Sequence, residues 1–546
     1  MCAARSRNCG TGTASAGRRL ARSAWHRASA LALLLLGAAA CTRADFPTPP
    51  RDAPVLRVGS PARILSVSPA ESWDYYHAQV ANFVFEGLTR HGADNRLAPA
   101  LAREWHASPD GREYRFILRT GVTFHDGTPF TATDVVRTWT SELRAPESAV
   151  SHPWMLDPIE GAFDVSAGRR PDVAGLQVVD DTTLVIRLRE PHAFFPTLLC
   201  LPQAAIAGAA SAPDRPLGTG PWRWVGADSS AAQLARFDGY WAEPAHLDSI
   251  VYRHVPDTLA IAAFEAGWVD MIAELPIEAR LEWSGRSDIG FVESDAMAVT
   301  RLVINMREPA FRDRRVRQAL NHAVGAARLA QAIAAPTAIR SAGSIPPGIT
   351  GSNRRREPYA FDPVLARRLL QAGGYPLDRP LRLWVPPPGL ADYPAQIGTL
   401  LRDYFEAIGL TVELRVQRGG SEQAMAERRV DLALTVWVGD YADGDAFLYP
   451  LYHSNVAGSA GNEGAYSNPA LDSLIDASRR ELDPARRLEL LRAADGLVFE
   501  DAPVVWLWFT RAATAYSLRL AGWTGDPQRA RFTTLRVAGP PGSRQP

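Results

Sequence analysis

Between Phe83 and Trp139 the chain commits to one order of elements, and that order constrains everything built around it. The run Tyr114-Arg115-Phe116-Ile117-Leu118 alternates as a half-buried strand does. Asp110-Gly111 and Asp126-Gly127 are turn dipeptides. Thr131-Ala132-Thr133-Asp134 predicts a helix N-terminus, with a hydroxyl to accept an orphan N–H and an acid near the positive end of the helix dipole. Elsewhere Val55 to Val58 reads as the first strand, and Ala470 to Leu482 and Pro484 to Glu500 place apolar residues at helical spacing. Ala502 to Trp508 reads as a buried strand, so strands and amphipathic helices alternate and the fold class is α/β.

The length of 546 residues allows a large core shared among about two to four lobes. With 46% hydrophobic and 22% charged residues the chain is globular in composition. All 59 basic residues are arginine, a bias that reads as genome composition rather than phosphate recognition. The formal charge of zero hides an asymmetry: six arginines and no acid lie in the first 40 residues. Without them 53 basic residues face 59 acidic ones, a net charge of −6. Beyond short runs such as Arg354-Arg355-Arg356 there is no basic stripe, so nucleic acid is not an expected partner.

Residues 1–40 have the parts of an export signal: an arginine-rich lead, the apolar run Ala30 to Ala40, and small residues before Cys41. That run is too short to span a bilayer, which takes about 20 residues. Leu36-Gly37-Ala38-Ala39-Ala40-Cys41 resembles a bacterial lipobox, with Ala38 where leucine is usual, and predicts lipidation at Cys41. Cleavage of the A-x-A type after Ala40 would cut the same bond and leave a soluble protein. The proline-rich stretch 41–53 reads as a tether to the membrane. Cys2 and Cys9 leave with the signal, and Cys200 then has no disulfide partner and reads as a small buried hydrophobe.

The Phe83–Trp139 string resembles the peptide-binding family of ABC-importer substrate-binding proteins, solute-binding family 5. The likeness continues in order through Asp180 to Leu188, Gly218-Thr219-Gly220-Pro221-Trp222, Arg236 to Trp241, Ala266 to Asp270 and Phe311 to Leu320. It runs on through Ile345-Pro346-Pro347-Gly348, Leu369 to Tyr375 and Tyr466-Ser467-Asn468-Pro469. The resemblance implies a periplasmic-binding-protein-like two-lobe clamp of type II, two hinge crossings, and an extra domain inserted in the first lobe. It places lobe I at 54–84, 210–298 and 505–536, inserted domain II at 85–209, lobe III at 299–504, and a tail at 537–546.

Catalytic signatures fail in turn: there is no Gly-x-Ser-x-Gly, no His-Glu-x-x-His and no Walker loop, and the histidines show no ligand spacing. The expectation is a protein without enzymatic activity, metal or cofactor. Gly218-Thr219-Gly220 lacks the lysine of a phosphate cradle and reads as a turn into a strand. His125 beside Asp126 reads as structural. One cluster stands out: Leu432 to Tyr441 is an apolar strand ending in an aromatic and a carboxylate, where open α/β sheets bind ligands.

The resemblance implies that Asp440 pairs with a ligand's α-amino group and that Trp437 lines a side-chain pocket, with Tyr441 as a further ligand contact. It places first-lobe contacts at Trp73, Asp74 and Tyr75, with His152, Trp154 and Glu274 as further candidates. Pro386 to Leu390 offers no arginine for a peptide carboxylate, Leu434 stands where some oligopeptide binders have arginine, and Ser68-Pro69 replaces Asp-Pro. The implied function is capture of a peptide-like solute outside the cytoplasm, at a membrane through the lipid anchor, by a monomer that delivers it to an ABC permease and ATPase. A nickel chelate, haem or another cationic solute are alternative ligands. A secreted peptide or ester hydrolase and a solute sensor are alternative functions.

Overall fold

The computed structural model describes residues 54–72, 74–92, 96–145, 152–334, 338–387, 394–416, 420–523 and 532–538. Cys41, Trp73, residues 1–53, where a signal and tether are expected, and residues 539–546 of the tail expected at 537–546 lie outside the described residues, while Val537 closes the short strand Arg536–Val537.

Two long strands, Ile289–Ile304 and Val504–Ser517, form the antiparallel centre of an eleven-stranded sheet. They pair in two blocks, Ile289 to Asp295 with Arg511 to Ser517 and Val299 to Val303 with Val504 to Phe509, and the register breaks between Asp295 and Val299. A break of this kind bends a strand and twists the ladder. On one side of it the sheet continues through Met271–Ile272, Val55–Ser60, Ser249–His254, Ala231–Arg236 and Trp222–Ala227. On the other it continues through Leu432–Val438, Leu381–Val385 and Val412–Val416.

Val55–Ser60 runs parallel to Ser249–His254, and Leu381–Val385 runs parallel to both of its neighbours. Parallel pairing demands a crossover, and helix Pro394–Glu406 supplies one between Leu381–Val385 and Val412–Val416. The strand expected from Ala502 starts at Val504 and runs on to Ser517. Its second half was hidden because Thr510, Arg511 and Thr514 interrupt the apolar pattern.

A separate four-stranded antiparallel sheet contains Ala102–Ala107, Glu113–Leu118, Thr183–Arg187 and Leu176–Asp180, in that order. Gly111 and Gly127 both take positive φ, at 68° and 85°, as the turn dipeptides predict. Helix Ala132–Arg144 begins with a capping box in which Thr131 and Asp134 exchange hydrogen bonds. It buries Val135, Trp139 and Leu143 in one cluster with Phe116, Leu184 and Ile186, and Trp139 Nε1 donates to the Ala204 carbonyl at 3.0 Å.

That cluster continues through Phe194 and Tyr441 to Phe447, Leu491 and Trp506, so the small sheet and the helices after Asp440 share one core. A second core, around Leu302, Leu320, Leu383, Leu401 and Leu507, fills the other face of the second half of the main sheet. A third, around Val58, Val80, Phe83, Trp222 and Tyr252, belongs to the first half. The Gly218-Thr219-Gly220 run crosses the end of helix Tyr75–Val84 so closely that a Cβ on Gly218 would stand 1.9 Å from the Val84 carbonyl oxygen. Gly220 N–H donates to that oxygen at 3.0 Å, and the strand Trp222–Ala227 follows.

Candidate functional site

Strand Leu432–Val438 ends at Gly439, whose N–H donates to the Met297 carbonyl at 2.8 Å, inside the register break of the central strands. A Cβ on Gly439 would meet the Phe447 ring at 2.5 Å, so any larger residue would force that buried ring to shift. Asp440 comes next and faces a cavity of about 410 Å³. Asp74, Tyr75, Trp154, Met297, Val438 and Cys200 share its walls, so one space collects residues from both halves of the main sheet and from the segment between Trp154 and Gln203.

Asp440 has an open surface but is crowded by protein on most sides, and that crowding alone raises its carboxyl above the usual range. Among the described residues no arginine or hydrogen-bond donor is paired with it. Asp74, in the same cavity, is already engaged. It caps helix Tyr75–Val84 by accepting from the N–H groups of Tyr76 and His77 at 3.1 and 3.2 Å. The two carboxylates therefore differ in availability: one completes a helix and the other is left for an occupant.

The loop after Asp440 is fixed from behind by buried charge. Asp443 takes two 2.7 Å hydrogen bonds from Arg487 and accepts the N–H of Asp445 at 2.9 Å. Tyr441 donates to Asp445 at 2.8 Å, and Arg479 lies 3.4 Å from the same carboxylate. Burial drives the Tyr441 hydroxyl pKa well up and raises that of Asp445. The Phe194 ring stacks on Tyr441 at 5.7 Å, and Trp154 lies 6.0 Å from it at a tilt.

Tyr441 is thus a buried pillar under the site, and it does not line the cavity. Trp437 turns its Nε1 to the Ala446 carbonyl at 2.9 Å, packs against the shared core, and is also outside the lining. Glu274 is exposed after strand Met271–Ile272, away from the lining, and its charge adds to the burial that raises Tyr76. His152 pairs with Asp157 at 2.6 Å.

His125 is structural: Nε2 donates to the Gly220 carbonyl at 3.0 Å, and burial lowers its pKa to about 4. Cys200 is half-buried on the cavity wall, beside the Thr89 hydroxyl at 3.4 Å, and burial pushes its thiol to about 12. Met297, Gln203 and the pinning arginines Arg479 and Arg487 carried no sequence signal, since their role comes from contacts made across the fold. Among the described residues no three His, Cys, Asp or Glu side chains converge as a metal site. No described helix is long and apolar enough to cross a membrane.

The chain matches the model of the bacterial extracellular solute-binding proteins, family 5, over residues 96–459. It is 27% identical over 457 residues to heme-binding protein A of Haemophilus influenzae, covering 79% of this chain and 82% of that one. It is 26% identical over 511 residues to the glutathione-binding protein GsiB of Escherichia coli K12, covering 90% and 95%. Its structure resembles HbpA2 from Haemophilus parasuis with a TM-score of 0.76 at 21% identity, over 89% of this chain and 100% of that chain. The fold is therefore a two-lobe clamp of the periplasmic-binding-protein type, with a cavity beside the break in its central strands. The chain belongs to family 5 of the bacterial extracellular solute-binding proteins, the substrate-binding components of ABC importers.

Proposed function

We propose that this protein captures a peptide-like solute carrying a free ammonium group, holds it on Asp440 between two closing lobes, and delivers it as a monomer to an ABC permease. The observation that carries this reading is the Asp440 carboxylate: it faces the cavity, its pKa is raised by crowding, and no described protein cation is paired with it. A carboxylate left in that condition is compensated best by a cation arriving from outside. Similarity to a glutathione binder supports a peptide-like ligand, since glutathione is a tripeptide with a free ammonium group. Haem, the ligand named for the other relative, has no such group and gives Asp440 no partner.

The lobes are proposed to be 54–84 with 210–298 and 505–536 on one side and 299–504 on the other, hinged where Ile289–Ile304 and Val504–Ser517 lose register. Isothermal titration of tripeptides with free and acetylated N-termini tests the anchor. Asp440→Asn should weaken the free-amine peptide by about 2–5 kcal/mol, the range for breaking a desolvated charge pair, and barely change the acetylated one. Equal loss for both peptides would remove Asp440 from the amine site.

The proposal extends to location: Cys41 carries a lipid that tethers the mature chain to a membrane in the cell envelope. Cys41→Ser should move the exported protein from the membrane to the soluble fraction. An unchanged distribution would assign the bond before Cys41 to ordinary signal cleavage.

A further inference from the structure

Residues 305–370 hold twelve arginines against four acids, a net charge of +8, although residues 41–546 together sum to −6. Few of these arginines are adjacent in sequence, because they are spaced among the core residues of three helices. Helices Arg314–Ala323, Ala326–Ala334 and Pro363–Ala372 bury Leu320, Leu329, Ala366 and Leu370 in the second core, on the sheet face opposite the core behind Asp440. The strap 353–362 ties them together. His322 Nδ1 donates to the Ala360 carbonyl at 2.8 Å, and Asp362 N–H donates to the His322 carbonyl at 2.9 Å. Arg328 stands 5.8 Å from the Phe361 ring, and the charge of Arg314 reaches the Tyr359 hydroxyl on the same strap.

Most of that charge is uncompensated within the fold. Arg315, Arg317 and Arg356 are paired with Asp313, Asp501 and Asp495, and Arg307 donates to the Glu463 carbonyl. The other eight arginines are exposed, and none forms an ion pair among the described residues. Of the four acids, Glu308 and Asp313 sit in ion pairs and Asp362 caps a helix. Glu357, with Glu500 from the helix that Gln318 touches, is left to oppose eight guanidinium groups. Two apolar side chains share this surface: Phe361 is 40% exposed and Val364 61%, the latter one turn before Arg368.

We infer that this face adsorbs to an anionic phospholipid surface, with its guanidinium groups on headgroup phosphates and Phe361 and Val364 among them. The guanidinium fork matches phosphate oxygens, and a basic surface bearing exposed apolar side chains is the combination that binds at a membrane interface. Headgroups move laterally and so meet charges spread over three helices and a strap, whereas a protein partner must offer acids at fixed positions. The lipid proposed at Cys41 would hold the body within about 43 Å of the bilayer, the greatest reach of the twelve residues from Thr42 to Ala53, so a weak attraction suffices to orient it. Adsorption uses a surface other than the Asp440 cavity, and the inference stands apart from the reading of that residue.

Vesicle co-sedimentation of the exported Cys41→Ser protein, which lacks the proposed anchor, tests the face alone. It should bind vesicles of phosphatidylethanolamine and phosphatidylglycerol at about 3:1 and leave pure phosphatidylcholine unbound. Raising NaCl from about 50 to about 300 mM should weaken that binding about tenfold or more, because the attraction is screened. Adding Arg314→Gln, Arg328→Gln, Arg355→Gln and Arg368→Gln should weaken it to a similar degree, about tenfold or more. Four exposed arginines elsewhere, changed as Arg103→Gln, Arg112→Gln, Arg170→Gln and Arg223→Gln, should leave it within about twofold. Val364→Glu should weaken it about threefold or more, by placing an acid where an apolar side chain enters. Thermal melts should show both fourfold variants as folded as the parent. No binding to the anionic vesicles at low salt would overturn the inference, as would equal binding to phosphatidylcholine or an equal loss in the two fourfold variants. Arginine-dependent binding to the cognate permease in phosphatidylcholine nanodiscs, without binding to anionic lipid, would also overturn it and give the face to a protein partner.

Discussion

Asp440 and Asp74 show how two carboxylates in one cavity acquire different work. Asp74 is consumed by the first turn of a helix, where its oxygen replaces missing backbone acceptors. Asp440 has no such employment, and crowding makes its ionised form costly. Its raised pKa has a definite sign in stability. The native state binds the proton more tightly than the unfolded chain, so the stability this group gives is present at low pH and is lost as pH rises through the raised value. Asp440→Asn should therefore leave the ligand-free protein at least as stable as wild type at pH 7, while the difference shrinks toward acid. Thermal melts of both proteins between pH 4 and pH 7 check this; a variant less stable at pH 7 and equal in acid would make Asp440 a structural acid. The strand that ends at Asp440 could be read from its apolar run, and the acid at its end drew attention for that reason. Asp74 was expected only as a ligand contact implied by the family resemblance, and its role as the cap of helix Tyr75–Val84 comes from the structure. Which carboxylate stays available is decided by neighbours the sequence does not place.

The loop 439–445 owes its shape to two helices far along the chain. Helices Pro469–Arg480 and Pro484–Asp501 were legible as amphipathic periods, and their caps Asn468 and Asp483 both accept backbone N–H groups as such residues should. Their arginines were not legible as inward. Arg479 and Arg480 are adjacent, yet one meets Asp445 in the core and the other meets Glu190 at the surface. Arg487 reaches Asp443 across 44 residues, and burial turns that pair into a clamp. Arg487→Ala leaves Asp443 buried without compensation and should destabilise the protein by about 3–5 kcal/mol. Adding Asp443→Ala should recover part of the loss, which urea unfolding of both variants would measure; a single variant as stable as wild type would show that the pair adds nothing. The strands proposed as the hinge follow the same pattern. The first half of Val504–Ser517 reads as buried strand, while Arg511 is polar because it faces Glu293 at 2.9 Å and Asp295 at 3.3 Å at the edge of the register break. A break in register is a property of two paired strands, and neither sequence alone announces it.

Across the molecule, the order of landmarks from Phe83 to Pro469 was enough to give the α/β clamp, because each is a turn, cap or strand set by residues close in sequence. The continuity of one sheet through both lobes was not available from that order. Neither was the single core that joins the small four-stranded sheet to the helices behind Asp440. Both arise from long-range pairing: the paired central strands break register beside Met297, and Trp154 and Asp440 line one cavity. The proposed function requires the clamp to close on a solute whose ammonium group rests on Asp440. Mass spectrometry of small molecules released by denaturing purified wild-type and Asp440→Asn protein tests it most directly. A solute with a free amine is expected in the wild-type eluate and is expected to be lost from the variant. A released solute without a cationic group, or one retained equally by both proteins, would contradict it.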